Sequence, residues 1–437
     1  VEPGILVAII FISLLLLLIL GVPVAFSLFS LSMIIALIMQ GPRLLLVSYL
    51  STFSTMVNDI LLAIPLFIFM ATVLEFSDVV SRLVDAAYKW SGAFRGGLLI
   101  ATLFVATMID AMSGLGATAT VTLGLLALPE LLKRGYHKSL VLGVIPAGGS
   151  LGPVIPPSIV MIILASLTRL SIGKLFIGGI IPGLLITVLW SAYLAIIGFL
   201  KPELTPSSAP EEVATLKEKF LSLKGVIAPI ALILLVLGAI YTGVVTPTEA
   251  GAMGASGAIV CAAINRKLTW KNMRNAALRA TLTNGLVMWL LCAGASFAAI
   301  MQITGISAFI QSSVLGVSDN PMVIVGLMLA VAIFLGFFMD AGANLMICAP
   351  VFWPIAQVLP IDPVWWGVVF VLALCVGYIT PPFGMNLFYL KGISPDDVTI
   401  GDIYRSSIPF SLIYFVGIAL VMIFPGIITW LPSFMIK

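Results

Sequence analysis

The sequence predicts an all-α polytopic membrane protein built from two repeats of opposite topology. Three observations predict it. Of 437 residues, 61% are hydrophobic and 9% charged, with a mean hydropathy of +1.22, whereas ordinary globular domains carry about 25% charge. The apolar residues form runs near the ~20 that a spanning helix needs, without the alternation of membrane-barrel strands. The third observation is a break that occurs twice. Gly152-Pro153-Val154-Ile155-Pro156-Pro157-Ser158 interrupts one apolar run and Gly377-Tyr378-Ile379-Thr380-Pro381-Pro382 another. Gly152 to Gly377, Pro156 to Pro381 and Pro129 to Pro354 are each 225 positions apart.

Proline lacks a backbone N–H and clashes with the preceding turn, so neither break allows a continuous helix. In hydrocarbon the freed backbone groups cost several kcal/mol each unless protein, ion or water satisfies them. Both breaks are therefore predicted to be discontinuous helices lining a buried polar site.

The first repeat is read as residues 1–200. Residues 5–20 and 24–39 are spans parted by Gly21-Val22-Pro23, and Gly41-Pro42-Arg43 is a turn. Residues 44–57, with their serines and threonines, read as an oblique segment, and 61–74 as a helix. Glu75, Asp78, Arg82, Asp85, Lys89 and Arg95 have helical spacing, which predicts an amphipathic interfacial helix over 75–95. Residues 97–132 form a re-entrant hairpin whose tip is the small, polar turn Ser113-Gly114-Leu115-Gly116-Ala117-Thr118. Its base carries Lys133, Arg134, His137 and Lys138 and is expected in the cytoplasm. A broken helix over 140–167 and a span over 175–200 follow.

Residues 201–224, with Pro202, Pro206 and Pro210 and balanced charges, read as a cytoplasmic linker. The second repeat, 225–437, opens with spans 226–244 and 250–264. Thr246-Pro247-Thr248-Glu249 has the pattern of a capping box with proline at the tolerated first position. Arg266, Lys267, Lys271, Arg274 and Arg279 mark a second cytoplasmic amphipathic stretch. A span over 283–300 and an interfacial segment over 303–317 precede the second hairpin, 322–359, with its tip at Asp340-Ala341-Gly342-Ala343-Asn344. The loop at its base, Pro360-Ile361-Asp362-Pro363, has no Lys or Arg, so this hairpin is expected to enter from outside. Opposite entry of the two hairpins makes the repeats inverted. A broken helix over 364–390, the stretch 391–405 and a last span over 408–428 complete the chain, with the C-terminus outside.

Several function classes drop out. The net charge of +3 sits in short loops and orients the spans, and no nucleic-acid partner is expected. The four cysteines, Cys261, Cys292, Cys348 and Cys375, lie singly in apolar runs and read as packing residues. His137 is the sole histidine, which excludes a histidine-based transition-metal site. Residues 5–20 lack a basic n-region and a small-residue cleavage site, so no cleaved signal is expected. A membrane-embedded enzyme would need a clustered acid/base or metal constellation that one histidine and scattered acids do not supply. A passive channel or facilitator for small anions is the alternative, and it would more naturally line continuous helices with polar faces.

The breaks and tips supply the chemistry of a carrier. Helix N-termini at a break attract carboxylates, and helix C-termini with unwound carbonyls suit a small hard cation. Oxygen ligands are offered by Ser113, Gly114, Thr118, Ser150, Gly152 and Ser158 in the first half. Asp340, Asn344, Gly377, Thr380 and Asn386 offer them in the second. Asp340, an acid at a hairpin tip, is the sharpest of these. Asp59 and Asp110 are read as nearer an interface and structurally paired. The scarcity of mid-span acids favours sodium over protons. Cargo is expected against Ser150, Pro157, Ser158, Asn344 and Asn386.

Three segments together resemble a known family. They are 147–158 (Ala-Gly-Gly-Ser-Leu-Gly-Pro-Val-Ile-Pro-Pro-Ser), Thr246-Pro247-Thr248-Glu249-Ala250, and 379–387 (Ile-Thr-Pro-Pro-Phe-Gly-Met-Asn-Leu). The likeness is to the large membrane subunit of tripartite ATP-independent periplasmic (TRAP) transporters, and it runs over essentially the whole chain. It implies a sodium-driven, elevator-type secondary importer of organic acids, such as a dicarboxylate or sialic acid, in a bacterial or archaeal cytoplasmic membrane. It also implies two partners: a periplasmic substrate-binding protein and a small four-helix membrane subunit, here a separate chain. Carried over by motif, one ion site falls at Ser113, Gly114, Gly152 and Pro156, and the other at Asp340, Gly377, Thr380 and Met385. The family's first tip is often Ser-Gly-Ser, whereas Leu115 follows Gly114 here.

Overall fold

The computed structural model describes residues 3–91, 95–114, 116–206 and 215–435. Its longer elements are helices throughout. The first half holds α1 (Pro3–Ile19), α2 (Val24–Gln40), α3 (Arg43–Met56), α4 (Ala63–Phe76) and α5 (Val79–Ser91). It continues with α6 (Gly97–Ser113), α7 (Gly116–Lys133), α8 (Lys138–Gly148), α9 (Ile159–Thr168) and α10 (Ile172–Leu200). The second half holds α11 (Leu216–Tyr241), α12 (Pro247–Ile264), α13 (Trp270–Ile303), α14 (Ile306–Leu315) and α15 (Pro321–Gly336). It ends with α16 (Ala341–Val358), α17 (Pro363–Val376), α18 (Met385–Ile393), α19 (Ile400–Ile423) and α20 (Gly426–Ser433). Among the described residues, five helical stretches are long and apolar enough to cross a membrane. A sixth candidate, Leu216–Leu223 with Gly225–Tyr241, is bent by 47°.

Local chemistry explains the boundaries. Asn320, Asp362 and Thr246 each cap a helix with a side-chain oxygen, and each is followed by a proline at the first helical position. There the missing N–H is one that no helix would use. The ends of α7 and α16 lie 225 positions apart at both termini, 116 to 341 and 133 to 358, and Pro129 and Pro354 fall inside them.

Contacts between elements come in exchanged pairs. α7 packs on α18, and its counterpart α16 packs on α9. α8 packs on α19 as α17 does on α10, α4 on α12 as α13 does on α2, and α5 on α11 as α14 does on α1. Each hairpin also contacts the first piece of the broken helix in its own half: α6 and α7 touch α8, and α15 and α16 touch α17.

Several boundaries differ from the sequence reading. Glu75 lies in the last turn of α4 rather than starting an amphipathic helix, because Asp78 takes a left-handed φ of +63° and separates α4 from α5. Residues 92–94 of that stretch lie outside the described residues. The linker ends early: Thr215 and Glu218 form a capping box that starts α11 at Leu216, and 207–214 lie outside the described residues. The basic stretch at 266–279 and the span at 283–300 are largely one 34-residue helix, α13, since no proline or left-handed residue parts them. The last span begins ahead of residue 408, because Thr399 and Asp402 box the start of α19 at Ile400.

Candidate functional site

The first break runs from Gly149 to Ser158, and every residue in it is buried. Three prolines within it forbid helical bonding, so side chains close the ends. The Ser158 hydroxyl accepts from the Met161 N–H (3.1 Å) and donates to the Pro153 carbonyl (2.5 Å). The Ser150 hydroxyl donates to the Ala147 carbonyl (2.7 Å). These two serines are thus spent inside the break, and what they offer a ligand is backbone. Gly152, Pro156 and Pro157 are buried beside them. The first tip seats on the far end of this break. Gly114 has φ +62°, and a Cβ there would lie 2.5 Å from the Pro157 carbonyl oxygen. Gly116 approaches the Gly149 carbonyl at the near end of the break, 3.0 Å from a notional Cβ. Leu115 lies outside the described residues, and Ser113 and Thr118 flank it.

At the second tip, Asp340 Oδ1 accepts from the N–H groups of Gly342 (2.7 Å) and Ala343 (3.1 Å), capping α16. Asn344 spans the hairpin: its Nδ2 donates to the Ala332 carbonyl (2.7 Å) and its Oδ1 accepts from the Cys348 thiol (3.2 Å). The Thr380 hydroxyl donates back to the Val376 carbonyl (2.7 Å). A Cβ on Gly377 would lie 2.6 Å from the Gly336 carbonyl oxygen, so break and hairpin meet backbone to backbone. Met385 opens α18. Asn386 joins the halves, since its Nδ2 donates to the Pro146 carbonyl (3.2 Å). This break is less enclosed than the first, with Pro382 and Phe383 exposed.

The N-termini of α7, α9, α16 and α18 and the C-termini of α6, α8, α15 and α17 thus lie at the tips and breaks. Each N-terminus carries about half a positive charge and each C-terminus about half a negative one. The arrangement can hold an anion and cations side by side. A cavity of about 70 Å³ lies between the first tip and α4 and α13; Ser113, Thr118, Thr72, Thr283, Glu75 and Arg279 contribute its polar lining, beside Ile68, Ile109 and Met112 among its apolar residues. In it Arg279 pairs with Glu75 at 2.7 Å. Among the described residues, no group of three or more His, Cys, Asp or Glu side chains could hold a metal ion.

One residue enters that the sequence did not single out, and two others take a different place from the one expected. Tyr378 bridges the two tips: its hydroxyl accepts from the Ala341 N–H (3.1 Å) and its ring lies beside Gly116. A tyrosine inside a proline-broken helix was its signal, because a buried phenol needs a partner for its oxygen. Arg279 was read only as part of a cytoplasmic charge run. Asp110 corrects an expectation: it makes no ion pair and is fully buried, with the backbone of Leu151 and Gly152 against its carboxylate. Its place in an apolar helix hid this, since burial depends on what packs against that face. Asp59, by contrast, is exposed, and its carbonyl accepts from the Thr248 hydroxyl (3.4 Å).

Comparison with known proteins gives the following. The model of the family described as "Tripartite ATP-independent periplasmic transporter, DctM component" matches residues 11–427. The chain is 31% identical to the C4-dicarboxylate TRAP transporter large permease protein DctM of Pseudomonas aeruginosa, over 88% of each chain. It is also 31% identical to the ectoine/5-hydroxyectoine TRAP transporter large permease protein UehC of Ruegeria pomeroyi, over 95% of this chain and 96% of that one. Among solved structures, the YdaH transporter of Alcanivorax borkumensis superposes with a TM-score of 0.67 at 16% identity, over 96% of this chain and 99% of that one. At that identity the likeness is one of fold alone.

Proposed function

Since the chain belongs to the DctM family of tripartite ATP-independent periplasmic transporters, we propose that it is the large transport subunit of a sodium-coupled, binding-protein-dependent importer of organic acids. Membership makes it a secondary transport protein rather than an enzyme, and its relatives place it in the bacterial inner membrane. The named cargoes of the relatives differ, C4-dicarboxylate in one and ectoine in the other. We therefore assign the choice of acid to a soluble periplasmic partner, and a small four-helix membrane subunit to the assembly.

The observation that carries this reading is the exchanged packing of hairpins on broken helices, α7 on α18 and α16 on α9. It draws the tips and breaks of the two halves together, which is what inverted repeats around a midplane site would require. In this reading the first ion is held near Ser113, Gly114, Gly152 and Pro156, and the second near Asp340, Gly377, Thr380 and Met385. The cargo carboxylate lies against Pro157, Asn386 and the N-termini that Ser158 and Asp340 introduce, beside Ser150 and Asn344. The two halves move as an elevator, with α6–α9 and α15–α18 carrying the site past α2–α4 and α11–α13.

The test is uptake into proteoliposomes with both partner proteins present. Uptake should require a sodium gradient and saturate with substrate. Asp340→Asn and Thr380→Ala should weaken the sodium dependence more than they weaken assembly. Uptake indifferent to sodium would sink the coupling, and unsaturable flux would favour a facilitator.

A further inference from the structure

Asp110 is the sole buried acidic or basic side chain among the described residues, at 0% exposure. It lies on α6, one turn before the first tip, where Gly114 donates its N–H to the Asp110 carbonyl (2.8 Å). Neither carboxylate oxygen has a side-chain partner. Only the backbone N–H groups of Leu151 and Gly152, in the first break, are directed at it, and no lysine, arginine or histidine is. The Cys375 thiol, one residue before the end of α17, is also close enough to feel its charge.

Its surroundings add negative potential and unused acceptors. Three helices end around it: α6 at Ser113, α8 at Gly148 and α17 at Val376. Their C-terminal ends disfavour a bare carboxylate. Two orphaned buried oxygens border the same 146–152 segment. Thr120 Oγ1 lies against Gly149, and Asn386 Oδ1 belongs to the amide that binds the Pro146 carbonyl. A buried charge left unpaired is strongly destabilising, and an acid inside a membrane protein is usually functional. Oxygen-only ligands beside one carboxylate suit a hard monovalent cation.

We propose that the Asp110 carboxylate is the anionic ligand of a sodium ion bound between α6 and the first break. The four residues assigned above to the first ion, Ser113, Gly114, Gly152 and Pro156, carry no formal charge, whereas the second site has Asp340. Asp110 supplies that charge to the first site. The inference rests on the sodium-coupled reading, and its test is built to separate the two.

The experiment is hydrogen–deuterium exchange of the purified chain in nanodiscs, in NaCl against KCl of equal ionic strength, read by mass spectrometry. Sodium should slow exchange over 149–155 and over 337–344 in the native protein, both saturably. Asp110→Asn should raise the half-saturating sodium for 149–155 at least tenfold and leave 337–344 unchanged, and Asp110→Glu should restore part of the first response. A response at 149–155 that survives Asp110→Asn intact overturns the proposal. So does a native protein in which 337–344 responds and 149–155 does not, a result that needs no variant to fold. Sodium-indifference of both segments would instead overturn the coupled reading and this inference with it.

Discussion

The hydroxyl of Tyr378 accepts a hydrogen bond from the backbone N–H of Ala341 across 3.1 Å, tying the second break to the first residue of α16. The N–H at a helix start has no partner within its own helix. Here a residue 37 positions away supplies one, and its ring also rests beside Gly116 of the other tip. One side chain therefore registers both tips against each other.

Tyr378→Phe keeps the ring and removes the acceptor. Leaving the buried Ala341 N–H unpaired should cost about 1–3 kcal/mol. The expected result is a small fall in melting temperature in detergent together with a clear loss of sodium affinity in uptake assays. Unchanged sodium affinity would mean that the bond is structural only.

Gly114→Ala tests the seating of the first tip. A left-handed non-glycine residue costs roughly 1–2 kcal/mol, and the new Cβ would meet the Pro157 carbonyl at 2.5 Å. Uptake should be severely reduced while protein still reaches the membrane. Gly285→Ala, where nothing lies within 4 Å of a Cβ, is the matched control and should behave as native.

The Glu75–Arg279 pair separates stability from transport. Its side chains are 26% and 53% exposed, so the pair is worth about 0–1 kcal/mol. Arg279→Gln should leave the melting temperature nearly unchanged. Because Arg279 lines the cavity at the first tip, the same change should raise the KM for a carboxylate cargo and spare kcat. An equal fall in both kcat and kcat/KM would point to a role in the moving step instead.

Glu249 gives a pH signature. Its carboxyl is held below the usual range, first by the Thr246 backbone N–H and then by the Thr246 hydroxyl. A carboxylate with a lowered folded-state pKa contributes stability above its unfolded pKa, about 4.3. That contribution is lost as pH falls through the folded value. Glu249→Gln should therefore melt below native at pH 7, and the two proteins should converge at pH values under about 4. A difference that persists unchanged into acid would assign the effect to shape rather than charge.

Much of the architecture was legible because proline and glycine act locally. Gly152 to Pro157 and Gly377 to Pro382 announce their breaks through a missing N–H, which no tertiary context restores. Thr246 and Glu249 announced a helix start in the same way, and both capping hydrogen bonds are present. Less legible was the reach of individual helices. α13 runs on through its basic stretch because nothing in it forbids helix, while charge alone had suggested a boundary.

By itself, then, the sequence determined where helices must start, stop and break, and that most of the chain lies in apolar surroundings. Those outcomes depend on backbone chemistry within a few residues. The tertiary structure alone decided that α7 meets α18 and α16 meets α9, that Ser150 and Ser158 turn inward, and that Tyr378 joins the tips. It also decided that Asp110 is walled in without a charged partner. Such pairings join residues as far apart as Pro146 and Asn386, 240 positions. No periodicity spans that distance, and packing complementarity between whole faces selects the partner.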